Sequence, residues 1–222
     1  MKYSLAQRSA AEFIGTGFLV AAVVGSGIMA ERLAGGNVAL ALLANTIATG
    51  AALLTLILTL AEISGAHLNP AVTLSCASSG IFPWSEMPHY LAAQLVGGAF
   101  GSVVAHLMFG LPWISISSHA RGGPALAFSE FIATFGLLAV IYGNARRDSS
   151  VVAVAVAAYI TAAYWFTAST SFANPAVTLA RSLSDTFAGI QPANVPLFIA
   201  AQLAGAAAAT LLFRGSSPTA AR

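Results

Sequence analysis

Charge and sulfur are scarce in this chain. Of its 222 residues 7% are charged, nine Lys and Arg against seven Asp and Glu, and one is a cysteine, Cys76. A single cysteine excludes an intrachain disulfide, and Cys76 reads as small apolar filler rather than as a redox or zinc ligand. The cations set a pI near 9.0, but nine of them cannot form a nucleic-acid surface. What the chain has instead is apolar bulk. With 58% hydrophobic residues and a mean hydropathy of +0.82, it has the composition of a membrane protein.

A bilayer core needs about 20 apolar residues per helical span. Six windows meet that demand, at 11–31, 38–60, 87–109, 125–144, 150–168 and 193–214. The N-terminus begins charged and turns apolar, as a cleaved signal peptide does. Its apolar run passes residue 24 with Glu12 inside it, and a matching segment recurs later, so it is read as the first span. With both termini on one side, Lys2, Arg8, Arg146, Arg147, Arg214 and Arg222 fall there, and Arg32, Arg121 and Arg181 fall opposite. The positive-inside rule then predicts a multi-pass membrane protein with both termini cytoplasmic.

The chain repeats itself. EFIGTGFLVAAVV at 12–24 matches EFIATFGLLAVIY at 130–142, AAQLVGGAFG at 92–101 matches AAQLAGAAAA at 200–209, and NPAVTL occurs at 69–74 and 174–179. Three matches in one order predict two halves, a first repeat over about 9–109 and a second over about 125–214, joined by the Gly-, Pro- and Ser-rich connector 110–124. Each half holds three spans, an odd number, so the second enters the membrane from the opposite side. The halves form an inverted repeat within one channel domain.

In both copies of NPAVTL the Asn suits a helix N-cap and the Pro its first helical position. The stretches from 69 to about 79 and from 174 to about 184 are too short to span, and the preceding SGAHL and TASTSFA read as irregular chain. Irregular backbone at membrane depth survives only inside protein or along a wet cavity. Two half-helices meeting N-terminus to N-terminus near the midplane satisfy that condition and enclose a pore. Their partial positive charges oppose cations, protons included, and the amides of Asn69 and Asn174 are placed to donate to a passing oxygen.

Paired NPA boxes, six spans, a Glu early in spans one and four, and the lead-in SGAHLNP resemble the major intrinsic protein family, the aquaporins and aquaglyceroporins, over nearly the whole chain. The resemblance implies an all-α membrane fold, aquaporin-like, of six transmembrane helices plus two re-entrant half-helices. It places Asn69, Pro70, Ala71, Asn174, Pro175 and Ala176 at the pore centre. Along the path it places the carbonyls of Gly65, Ala66, His67, Thr170, Ser171 and Phe172. It further implies a homotetramer in the lipid bilayer with one pore per chain, small neutral solutes as cargo, no cofactor or metal, and no enzyme activity.

One departure bears on selectivity. The family's second box usually continues with Arg, and here Val177 follows Ala176. By register the remaining filter positions fall on Thr49, Ala162 and Ser171. These four side chains include no aromatic ring and no charge, which predicts a wide, nearly neutral opening that passes water, glycerol-like polyols and trivalent metalloid hydroxides. The pattern is most similar to the bacterial aquaglyceroporins of the arsenic-resistance type, which makes arsenous acid the implied solute.

Several residues have two readings. Glu12 and Glu130 are costly in a membrane and serve either as proton relays or, as their symmetric placement favours, as acceptors for free loop N–H groups. Glu62 is grouped with them. His67 reads as a gate or a proton carrier or, as is expected, as a packed or hydrogen-bonded loop residue. Arg181, four residues past Val177, either replaces the missing charge or snorkels to water; snorkelling is expected. The competing function is a secondary transporter, which shares inverted repeats and broken helices, but no Asp, Lys or Arg near the boxes offers a coupling-ion site. An intramembrane enzyme lacks a nucleophile with a base.

Overall fold

The computed structural model describes residues 2–213; Arg214 and Arg222 of the charge count above lie outside the described residues. In chain order the helices are α1 (Leu5–Leu33), α2 (Val38–Ser64), α3 (Pro70–Ser78), α4 (Met87–Met108), α5 (Pro124–Gly143), α6 (Ser149–Phe166), α7 (Pro175–Arg181) and α8 (Val195–Phe213), with a 3-10 turn at Pro192–Asn194. All but α3 and α7 are long and apolar enough to cross a membrane. The fold is therefore six spans and two half-helices.

Local chemistry sets the boundaries. Ser4 and Gln7 form a capping box at the start of α1, satisfying N–H groups that have no intrahelical partner. Asn37 caps α2 through Leu40 N–H, and Gly65 ends it at φ 87°, a left-handed turn that glycine adopts without strain. Asn69 and Asn174 cap α3 and α7, each followed by a proline in the first turn.

The halves pack alike, α1 on α4 in the first and α5 on α8 in the second. A Cβ at Gly97 would collide with the Phe13 carbonyl, one at Gly101 with that of Gly17, and one at Gly205 with that of Phe131. Only glycine permits these approaches, and in lipid close backbone packing carries helix association that water would otherwise drive. At one end of the bundle Arg8 and Glu86 form a two-pronged ion pair, with Nη2 to Oε1 at 2.7 Å, which ties the start of α1 to the N-cap of α4. Phe18, Ile47, Phe100, Phe128 and Leu211 point outward, an apolar exterior that suits lipid.

The connector lies at the opposite end and is fastened to the segment after α7. Ser115 and Ser117 donate to the carbonyls of Leu183 and Ser182, and Gln191 donates to His119 O at 2.7 Å. The buried His106 bridges the same two segments, with Nδ1 2.7 Å from Pro112 O and Nε2 2.8 Å from Ser184 Oγ. These bonds position the C-terminal end of α7.

Candidate functional site

The two half-helices are entered through distorted backbone. Among the described residues every non-glycine residue with positive φ lies in the two lead-ins: Ala66, Leu68, Thr170, Ser171 and Ala173, at 47° to 63°. Each such residue costs about 1–3 kcal/mol, so five of them in two short loops need outside support.

That support is a carboxylate per loop. Glu12 Oε1 accepts from His67 N at 2.9 Å and from Ser64 Oγ at 2.7 Å, and its Oε2 accepts from Leu68 N at 2.6 Å. Glu130 accepts from Phe172 N and Ala173 N, both at 2.9 Å. Both acids are fully buried. Gln94 then donates to Glu12 and to Thr73 Oγ1 at 2.7 and 2.9 Å, and Gln202 donates to Glu130 and to Thr178 Oγ1 at 2.6 and 2.8 Å. These glutamines stand at the same place in the two AAQL matches, which was the signal for them in the sequence. Glu62 has no part in this; it lies on the exposed face of α2, two residues too early to turn toward the loop.

The half-helices are locked to each other. Asn69 Nδ2 donates to Ala173 O at 2.7 Å and Asn174 Nδ2 to Leu68 O at 2.8 Å, while their Oδ1 atoms accept from Ala71 N and Ala176 N, both at 2.9 Å. Each amide has a second N–H left for the cavity. Pro70, Ala71, Pro175 and Ala176 are buried in the first turns of α3 and α7. Among the described residues nothing donates to the carbonyls of Gly65, Ala66, His67, Thr170, Ser171 or Phe172. The Leu68 and Ala173 carbonyls are taken by the asparagines.

A cavity of about 60 Å³ runs between the halves, lined by Asn69, Asn174, Thr49, Ser171, Val177 and the apolar Leu19, Val23, Leu53, Leu137, Val156 and Ile160. That volume suits a short file of small molecules rather than a large ligand. Thr49, Ser171 and Val177 of the expected filter meet here. Ala162 does not: it is exposed on α6, because the face of that helix turned to the cavity carries Val156, Ile160 and Tyr164 at intervals of four, and position 162 is about 200° away from it. Tyr164 stands in its place, with its hydroxyl 3.2 Å from Thr49 Oγ1.

The expectation of an opening without aromatic ring or charge is corrected as well. Tyr164, Phe172 and Arg181 all line the cavity, and Arg181 is 2% exposed rather than snorkelled. Its Nε donates to the Ala188 carbonyl and its guanidinium lies 3.4 Å over the Phe172 ring. A loop after α7 supplies an acceptor at the depth of the arginine, so the side chain has no need to reach for water. Arg121 of the connector approaches the same ring at 5.4 Å and donates to the carbonyls of Gly189 and Phe187 at 2.7 and 3.1 Å. Burial lowers its pKa from the ordinary value, against the opposing influence of Tyr164 and Glu130.

At the other mouth His67 is half-buried, with Nδ1 3.1 Å from Thr73 Oγ1 and its ring against Phe82 and Tyr90. It is a packed loop residue in this conformation. Cys76, on α3, is buried in the core. Among the described residues no cluster of His, Cys, Asp and Glu has the makings of a metal site.

The family described as Major intrinsic protein matches residues 1–151 and 144–221. The chain is 53% identical over 213 residues to Aquaglyceroporin AqpS of Rhizobium meliloti (strain 1021), a match covering 96% of this chain and 91% of that protein. It is 37% identical over 216 residues to Aquaporin NIP1-4 of Oryza sativa subsp. japonica, covering 94% and 76%. The X-ray structure of the aquaglyceroporin from Plasmodium falciparum shares the fold, with a TM-score of 0.75 at 24% identity over 95% of this chain and 96% of that one.

Proposed function

Because the chain belongs to the major intrinsic protein family, we propose that the cavity between its half-helices is a passive pore for water, glycerol-like polyols and trivalent metalloid hydroxides such as arsenous acid. The chain is a membrane channel and not an enzyme. The observation that carries the finer reading is Val177 on the cavity wall directly after the second Asn-Pro-Ala. A valine there leaves out five N–H donors and a fixed charge that an arginine would hold at the same step, so the pore is wide at that level and discriminates weakly by size.

Passage is an exchange of hydrogen bonds. A hydroxylated solute sheds water, accepts from the remaining N–H of Asn69 and Asn174, and donates to the unpaired loop carbonyls, while its carbon or metalloid face slides along Leu19, Val23, Leu53 and Val156. A cation has no such exchange, because the N-terminal ends of both half-helices face it. No step needs energy input, so flux follows the solute gradient. The functional unit is a homotetramer with one pore per chain, set in a bacterial cell membrane with both termini in the cytoplasm. The pair Arg146 and Arg147 between α5 and α6 supports that orientation.

The test is entry of neutral trivalent arsenic into liposomes carrying the purified protein, without an ion gradient, for wild type and Val177→Arg. Fast, non-saturating entry that the Arg variant loses supports the reading. Saturating or proton-dependent entry favours a secondary transporter, and slow entry beside rapid water flow removes arsenic as a solute.

A further inference from the structure

The charge that is absent at Val177 has not left the pore; it sits one helical turn further along α7. Arg181 is held from two directions, by the Ala188 carbonyl on Nε and by the face of Phe172. Among the described residues nothing accepts from its two terminal amino groups, and the residue lines the cavity. Ser171 Oγ, on the same cavity, is buried with no partner. Buried polar groups are paired as a rule, so unpaired donors and an unpaired hydroxyl on two residues of one cavity mark a place where a passing molecule supplies the missing bonds. Tyr164 lines the same cavity, with its hydroxyl directed at Thr49.

We propose that Arg181, together with Tyr164 and Phe172, is a displaced charged constriction that determines specificity: it repels cations and donates hydrogen bonds to solute oxygens one turn beyond the wide step at Val177. This rests on the reading of the cavity as a passive pore. Arg121 is a positioning residue. It is not itself a lining residue, but it flanks Phe172 and grips the carbonyls on both sides of Ala188, so it fixes the ring and the acceptor that orient Arg181. A filter split into a neutral step and a charged step separates two tasks, admitting bulk and rejecting charge.

The experiment uses proteoliposomes of the full chain, with potassium conductance, water flux and glycerol flux measured in parallel. Arg181→Met removes the charge at similar volume. Potassium leak rises at least about tenfold, because a unit charge bordering a narrow path in low dielectric is worth that much or more, and the glycerol-to-water ratio falls with the lost donors. Arg181→Lys keeps the cation off the path and keeps the leak low, but it lowers the glycerol-to-water ratio, since the planar donor fork is gone. Arg121→Gln raises the leak by less than Arg181→Met at unchanged water flux, and Arg121→Lys restores it. Should Arg181→Met fail to fold, Phe172→Leu removes the platform instead and also raises the leak. Wild-type leak and wild-type glycerol-to-water ratio in a folded, water-conducting Arg181→Met or Phe172→Leu protein overturn the proposal. A wild type with no water or glycerol flux above protein-free vesicles instead overturns the pore reading beneath it.

Discussion

The loop ending at Asn69 and the loop ending at Asn174 share a hexapeptide, a buried carboxylate, a glutamine and a threonine, yet they face different surroundings. In the first, Val72 packs into the core and His67 leans on Phe82 and Tyr90. In the second, the equivalent Val177 lines the cavity, and Phe172 carries Arg181 and Arg121. Six lining residues come from the second loop and its half-helix, two from the first. The shared parts hold distorted backbone in a membrane and set the paired asparagines at the cavity; the parts that differ are the side chains around them. Duplication thus supplied the scaffold twice and the filter once.

The sharpest way to break the shared part is to remove a carboxylate. Glu12→Leu strands four donors, two of them backbone N–H, and Glu130→Leu strands three. At about 1–3 kcal/mol for each buried unpaired group, either change removes most of the stability of a domain. Thermal unfolding in detergent should show both variants collapsed, Glu12→Leu the worse. Glu12→Gln keeps one acceptor oxygen and should lose stability before selectivity; a well-folded Glu12→Gln protein that no longer conducts would return the proton-relay reading.

Asymmetry is tested next by one substitution in both copies. Val72→Arg places a cation in packed core and should abolish folding, while Val177→Arg sits at the wall of the cavity and should leave a folded channel whose glycerol flux falls about tenfold and whose water flux falls less. Unchanged glycerol flux in Val177→Arg would mean that the filter lies elsewhere. Asn69→Asp and Asn174→Asp replace a donor by a charge at the crossed centre, and both should alter ion leak by similar amounts, because the two amides make equivalent bonds. The smallest expected effect is at the serines that cap each lead-in. Ser64 Oγ accepts from Ala66 N and donates to Glu12, while Ser169 Oγ accepts from Ser171 N. Ser64→Ala should cost about 1–2 kcal/mol and Ser169→Ala about half that, read as a difference in unfolding midpoint.

The sequence carried the scaffold well because the scaffold is written twice. Six spans, two half-helices too short to cross, and one acid per repeat all emerge from matching segments and from the requirement that lipid imposes on backbone. Gln94 and Gln202 stand in the same matches, but nothing local to a span shows that their amides meet the carboxylates. The cavity wall was harder to read. Ala162 and Tyr164 differ by half a helical turn, and counting back from a box through an irregular loop does not determine which face of α6 turns inward. Arg181 was misjudged for another reason: whether a cation snorkels depends on acceptors that its fold brings to it, and the Ala188 carbonyl and the Phe172 ring are set by tertiary structure. Glu62 shows the converse, a carboxylate near a loop in sequence that is exposed and, among the described residues, makes no hydrogen bond to it.

Passive conduction through the space between the two half-helices is open to test by glycerol uptake into proteoliposomes over a wide concentration range. A passive pore gives uptake that rises linearly with concentration, ignores an imposed proton gradient, and has a low activation energy. Uptake that saturates, or that reverses direction with the proton gradient, would contradict it.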